Sequence, residues 1–336
     1  MNADFFLISA VIDFVLLNVV FSTLALGVER VLQTRVRSRW SARRWSRWLF
    51  VLAAAPFVLA SVVILALQIP VQLWYEPHEP VEYVSIKIFL IGMWGLIGAG
   101  VAGLRQFASW WMASRFQDRA LAVSQPWCAE NTGTKLPIYR IRHELPLCCL
   151  FGIRRPKLFL ADQLFERLSS SELRAALAHE ESHWRHHDNL KSACLNALKN
   201  FFFFIPTYRR LVDRWREGVE LACDEEAAER TQAPLELASA LVKIARLTPH
   251  RVPSPRLLMA GLGLVDFNSS WRLQERISRL LLLAEGFYWG DPPFHISLFS
   301  VAATAGAISA LSFLAIQHHF FFWFHHGIEV LEHFFM

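Results

Sequence analysis

The chain has 336 residues, 54% of them hydrophobic, and a mean hydropathy of +0.30. That is more apolar than a soluble domain of this size needs, so membrane spans are the first thing to look for. The formal charge of +5 does not point to nucleic acid: much of the arginine excess lies between Arg30 and Arg47, among Trp40, Trp45 and Trp48, with no recognition motif beside it, and Arg and Trp next to a span are ordinary interface anchors.

In chain order, the first apolar runs are 5–27 and 49–69, followed by 88–104 and 296–316, the last two without any charge. Each is close to the ~20 helical residues that cross a hydrocarbon core of about 30 Å, so four transmembrane helices are expected. The start, Met-Asn-Ala-Asp, lacks the basic region of a secretory signal, and the first run reads as a retained anchor. Between the first two runs stand Arg30, Arg35, Arg37, Arg39, Arg43, Arg44 and Arg47, whereas 70–85 carries Glu76, Glu79 and Glu82 and no Lys or Arg. The positive-inside rule then makes the first loop cytoplasmic, the N-terminus external and the long segment after the third span cytoplasmic. Cys128, Cys148, Cys149, Cys194 and Cys223 all fall in that inner segment, and an odd count there reads as free thiols. Gly95, Ala99 and Gly103 recur every fourth residue of the third span, a spacing that serves close helix packing. Asp13 and Asn18 lie within the first span, where polar groups are costly and become functional candidates.

From about residue 110 charges return and apolar runs shorten. Short β-prone stretches over 137–161, punctuated by Pro137, Pro146, Gly152 and Pro156, predict a small sheet. Ser169 followed by Glu172 is a capping-box signature that starts a helix running to about His187. The run 194–206 is too short to span and is interrupted by Lys199, so it is either a core helix or one lying in the membrane interface. Segments 214–230 and 271–284 have helical patterning. The expected architecture is a mainly α membrane protein: three transmembrane helices within 1–109, an α+β cytoplasmic domain over 110–290, and a fourth span with a His- and aromatic-rich tail over 291–336.

The chemistry centres on His179-Glu180-Glu181-Ser182-His183. Residues four apart on a helix stand one above the other, so His179 and His183 can place both imidazoles on one zinc ion. Glu180, turned about 100° round the axis, reaches a metal-bound water without displacing a ligand and is the natural general base for hydrolysis of an amide. On the helical wheel Leu173, Ala176 and Leu177 share a side with Glu180, His183 and His187, while Arg174, Glu181 and Arg185 take the opposite, solvated side. In a chain with 13 histidines such a string arises by chance in on the order of a few per cent of shuffled sequences, so a third ligand matters. Glu220 and Asp224 stand four apart on one helical face. Glu220 can complete a His₂Glu site with the fourth position left to water, and Asp224 can accept the second ring N–H of a ligand histidine; the competing reading is two acids on a wet face. Cys223 reads as a small packing residue, and His186 and His187 are given no role.

Gly152-Ile153-Arg154-Arg155-Pro156 with the following Leu-Phe-Leu, the His179–His183 string with its trailing Arg185 to Leu190, Pro206, Glu220-Leu221-Ala222-Cys223-Asp224 and Glu275-Arg276-Ile277 together resemble the membrane-bound antirepressor metallopeptidases of the β-lactam sensor-transducer type, distantly related to the HtpX and CAAX-prenyl proteases. The resemblance covers roughly 145–283 and the spans around it. It implies a gluzincin-like metallopeptidase domain at the cytoplasmic face, with zinc held by His179, His183 and Glu220, Glu180 as base, Asp224 as a partner behind a ligand, and Asp188 as a structural acid near the ligand helix. The sequence departs from the pattern at its C-terminal end. In the family a large extracellular penicillin-binding domain follows the last span; here Met336 comes about twenty residues after it, and no lysine has a serine three positions earlier, so direct β-lactam sensing is not expected. The tail from His318 to His326, with His333, reads either as an aromatic interfacial anchor or as a transition-metal cluster.

The function expected from all this is a zinc-dependent endopeptidase of the bacterial inner membrane, cutting a transcriptional repressor or its own linker. A quality-control protease for damaged membrane proteins, and a non-catalytic sensor with a structural zinc site, are the alternatives. Expected partners are a protein substrate, membrane lipids and, optionally, further copies of the chain in a homo-oligomer; no direct contact with nucleic acid is expected.

Overall fold

A computed structural model describes residues 3–35, 37–68, 86–127, 134, 136–143, 145–153, 155–247 and 270–289. The fourth expected span and the histidine-rich tail lie outside these residues. The chain divides into two compact units, one from the described parts of 1–27 and 54–101, the other from 28–53 and 102–290.

In the first unit, helix α1 (Ala3–Arg35) supplies its N-terminal part. Asn18 is fully buried there, and its Nδ2 donates to the Phe14 carbonyl at 2.8 Å, a bond one turn back that removes much of the cost of an amide in apolar surroundings. Helix α2 (Ala42–Val63) follows a 3₁₀ turn at Arg37–Arg39, carries Pro56 inside it, and widens into a π-helical turn over Ile64–Gln68. Among the described residues, Ala10–Arg35 and Ala42–Ala66 are long and apolar enough to cross a membrane. The third expected span falls in α3 (Ile86–Val123), which continues 19 residues past the expected end of the run at 104, because no Pro or Gly interrupts it after Gly103. A Cβ on Gly95 would sit 3.0 Å from Val11 Cγ1, so this member of the small-residue stripe does serve close packing; Gly103 faces open space.

The second unit holds a four-stranded mixed sheet of order β1-β2-β4-β3, built from β1 (Gln125–Trp127), β2 (Ile138–Ile141), β3 (Cys148–Phe151) and β4 (Lys157–Ala161). β2 and β4 are parallel, with Ile138 opposite Leu158; β1 and β3 lie antiparallel at the two edges. The expected small sheet is present, with β1 as an additional strand. After α4 (Asp162–Arg167) come α5 (Ser170–Arg185), α6 (Asp188–Phe201), α7 (Pro206–Thr231), α8 (Pro234–Leu247) and α9 (Ser270–Ala284). Leu158, Phe159 and Leu160 of the sheet join Leu164, Leu177, Leu237, Leu241, Ile244 and Leu280 in one apolar core, whose burial is the main source of the fold's stability.

Three local devices position the helices that matter. Ser169 and Glu172 form the expected capping box: Ser169 Oγ accepts from the Glu172 amide at 3.2 Å, and Glu172 Oε2 accepts from the Ser169 amide at 2.7 Å. At the other end of α5 the chain does not continue to His187 as a helix. His187 takes a left-handed conformation, φ 54°, and turns a sharp corner into α6. Between α6 and α7 the aromatic run is split: Phe202 is fully buried and stacks on Tyr208 at 4.7 Å, whereas Phe203 and Phe204 are exposed. Core and surface thus share a segment whose sequence fits either.

Candidate metal centre

Helices α5 and α7 pack together and supply the central residues. His179 is fully buried, His183 nearly so, and their rings are 4.9 Å apart and almost perpendicular. Opposite them, Glu220 presents Oε2 at 3.5 Å from His179 Nε2 and Oε1 at 3.6 Å from His183 Nε2. With its side chain 27% exposed, Glu220 is the least covered of the three. One ligand atom from each of the three residues lies within 4.8 Å of the others, a separation that a single metal ion can bridge.

The other ring nitrogens face acids. His179 Nδ1 stands 2.8 Å from Asp224 Oδ1, and His183 Nδ1 3.1 Å from Asp188 Oδ2. The His183 contact is a hydrogen bond and the His179 contact a close approach of ring nitrogen to carboxylate; acids on the Nδ1 side favour the tautomer that leaves Nε2 free to coordinate. The left-handed corner at His187 is what brings Asp188, the first residue of α6, back onto His183. Asn189 then ties α6 to the sheet, donating from Nδ2 to the carbonyls of Leu150 at 3.0 Å and Gly152 at 2.9 Å. The thiol of Cys223 lies 3.3 Å from His183 Nδ1, so it packs behind the ligand and not on its coordinating side.

The donor set fits a metal. The Nε2 atoms of His179 and His183 are buried without a hydrogen-bond partner, an expensive arrangement unless a cation receives them. Burial lowers the affinity of both imidazoles for protons, but the surrounding groups outweigh it and raise both pKa values: Asp224 and Glu220 for His179, and Cys223, Asp188 and Glu220 for His183. A pocket that draws protons to these rings favours a divalent ion in their place. Two imidazoles and one carboxylate are a donor set that suits a divalent ion such as zinc.

Glu180 is fully buried, and burial pushes its carboxyl up to about 7, against the pull of the two imidazoles and with the help of the Glu220 charge. That places a carboxylate base near neutral pH, where proton transfer in either direction is easy.

A pair of histidines one turn apart, a facing glutamate and a buried carboxylate beside them make up a candidate metal centre with the donor pattern that metallopeptidases use. Residues 19–259 match the family model described as BlaR1 peptidase M56, and the chain belongs to that family. Over 100 residues, 27% of its length, the chain is 29% identical to plastoglobule-localized metallopeptidase 48, chloroplastic, of Arabidopsis thaliana, spanning 29% of that protein. The crystal structure of S. mikatae Ste24p aligns over 78% of this chain and 80% of its own, at 15% identity and a TM-score of 0.32.

All six residues expected at the site, His179, Glu180, His183, Asp188, Glu220 and Asp224, come together in this cluster. Two expectations on α5 are corrected. Glu181 is buried, not solvated, and it pairs with Arg185 and Arg230, each at 3.1 Å, because α7 covers that side of the helix as well. His187 is exposed, since the helix has already ended. His186, given no role from the sequence, hydrogen-bonds through Nε2 to the Glu226 carboxylate. The sequence pattern gives no role to Arg276, whose Nε and Nη2 donate to Asp224 at 2.6 and 2.7 Å. No spacing rule relates positions 52 residues apart.

Proposed function

We propose that this protein is an integral-membrane zinc endopeptidase whose site faces the cytoplasm, cutting a repressor-like protein or its own chain at the inner face of a bacterial membrane. The observation that carries the reading is the pair of buried, unpartnered Nε2 atoms aimed at the Glu220 carboxylate, with Glu180 buried beside them. His179, His183 and Glu220 would hold the ion. Zinc bound there supplies Lewis acidity, bringing the pKa of water down to about 7 and polarising a peptide carbonyl.

The chain's own residues do the rest. Asp224 and Asp188 keep the two imidazoles in one tautomer and orientation. Glu180, buried beside the ligand histidines, would remove a proton from the attacking water and return it to the departing amine nitrogen. Its buried position excludes bulk water from that transfer. The arginine cluster between Arg30 and Arg47, against the acidic 70–85 stretch, supports the cytoplasmic orientation. Four spans, the fourth at 296–316, complete the proposed topology.

The test is to reconstitute the full chain in vesicles and challenge it with a small winged-helix repressor, if one is encoded beside its gene, and with unfolded membrane proteins. One discrete zinc-dependent cut in that protein is expected. Broad degradation of unfolded membrane proteins with no cut in the repressor would instead assign quality control, and zinc retained without turnover on any protein would leave a structural site.

A further inference from the structure

Glu220 and Asp224 stand one turn apart on α7, and two carboxylates so placed repel each other. One would serve as a metal ligand and the other must hold its plane against His179 Nδ1. Nothing in α7 itself arranges this. The arrangement comes from α9, whose Arg276 is 8% exposed and reaches both acids with one guanidinium. Nε lies 2.6 Å from Asp224 Oδ2, Nη2 lies 2.7 Å from Asp224 Oδ1, and Nη1 lies 3.1 Å from Glu220 Oε2. Asp224 Oδ1 is therefore shared between Arg276 and His179 Nδ1. The planar fork fixes the carboxylate plane and, through it, the ring whose Nε2 faces Glu220. Lysine, a compact point charge, cannot bridge both acids in this way.

The neighbours of Arg276 along α9 make other contacts. Glu275 pairs with Arg37 of the 3₁₀ turn between α1 and α2. Arg279 Nη2 binds Glu225 Oε1 at 2.5 Å, and Glu225 Oε2 accepts from the Ala42 amide at 2.7 Å. These pairs dock the helix without touching Asp224 or Glu220.

The geometry points to Arg276 as a positioning residue of the metal centre, setting Asp224 and Glu220 together so that the site is ready for its ion. This rests on the proposed metallopeptidase site. It adds that the site is completed from α9, outside the two helices that bear the ligands.

The experiment uses the full chain in detergent, stripped of metal and titrated with zinc against a chromophoric chelator. Wild type is compared with Arg276→Gln, Arg276→Lys and Arg279→Gln, and thermal unfolding is followed in parallel. Loss of a partner behind a metal ligand typically weakens binding by about 10–100-fold, and Arg276→Gln is expected in that range. Arg276→Lys, which keeps the charge but loses the fork, should fall between the two; if the Gln variant does not fold, the Lys variant alone must show weakened zinc binding. Its kcat should drop with KM little changed. Arg279→Gln should lower the unfolding temperature and leave zinc affinity as in wild type. Zinc affinity in both Arg276 variants within twofold of wild type would overturn the inference, as would an equal loss in Arg279→Gln, which would reduce the effect to helix docking. Wild-type protein that takes up no zinc would sink the metal site itself, and this inference with it.

Discussion

Glu172 ties the N-terminus of the ligand helix to the domain, and its removal gives the most quantitative expectation. Besides closing the capping box, its carboxylate accepts from Ser239 Oγ at 2.6 Å and from Lys243 Nζ at 2.7 Å, both on α8. Burial alone would raise its pKa, but Lys243, Ser239 and the Ser169 amide outweigh it and bring the carboxyl from 4.5 to about 2. At 1.36 kcal/mol per pH unit that is worth ~3 kcal/mol to the folded state. Lys243 is 43% exposed, so its share is on the order of 1 kcal/mol or less and weakens with salt. Because the folded pKa is the depressed one, the contribution is complete above 4.5 and is lost as pH falls towards 2, with about half remaining near pH 3. Glu172→Ala should therefore lose ~2–3 kcal/mol at pH 7 in denaturant unfolding of the detergent-solubilised protein. Glu172→Gln, which can still close the capping box, should lose less. A gap between wild type and Glu172→Ala that is independent of pH from 7 to 3 would refute the charge-based account.

Three further outcomes follow from the same geometry. His179 and His183 have raised pKa values without metal, and Glu180 sits at about 7. All three therefore hold protons that the unfolded chain would release on the way to neutral pH, and apo-protein stability should fall as pH rises from about 5 to 8. Zinc must displace the histidine protons, so its stabilisation should grow over the same range; thermal unfolding with zinc and with chelator, measured across pH, should diverge upward. Gly152 has φ +99°, and a Cβ there would lie 3.0 Å from the Arg155 carbonyl oxygen, so Gly152→Ala should cost ~1–3 kcal/mol of unfolding free energy, read in denaturant. Asp188→Asn removes the charge behind His183 and should weaken zinc binding by about 10-fold or more in chelator competition while leaving helicity unchanged.

What the sequence makes legible depends on distance along the chain. His179, Glu180 and His183 form a pattern set by helical geometry alone, and the same holds for Glu220 with Asp224 and for Ser169 with Glu172. The meeting of α5 with α7 is tertiary: the need of a two-histidine site for a third ligand suggests Glu220, but no local pattern in the sequence fixes the contact. A helical wheel assigns one buried side, whereas α5 is covered on two, so the wheel puts the buried Glu181 on the solvated side. A left-handed histidine has no sequence signature as strong as glycine, so the corner at His187 that delivers Asp188 went unread. β1 has only three residues and includes Pro126, too weak a signal to register. Arg276 lies within Glu275-Arg276-Ile277, but the two acids it contacts are fixed only by the packing of α9 on α7.

The most direct test of the central claim is Glu180→Gln in the full chain, with zinc content and peptide-bond cleavage measured on the same preparation. Glu180 is assigned to proton transfer and not to coordination. The variant should keep zinc at close to one per chain while cleavage falls by at least ~10²–10⁴-fold, the usual worth of a general acid–base. Cleavage that survives the substitution, or wild-type protein that holds no zinc, would contradict the account.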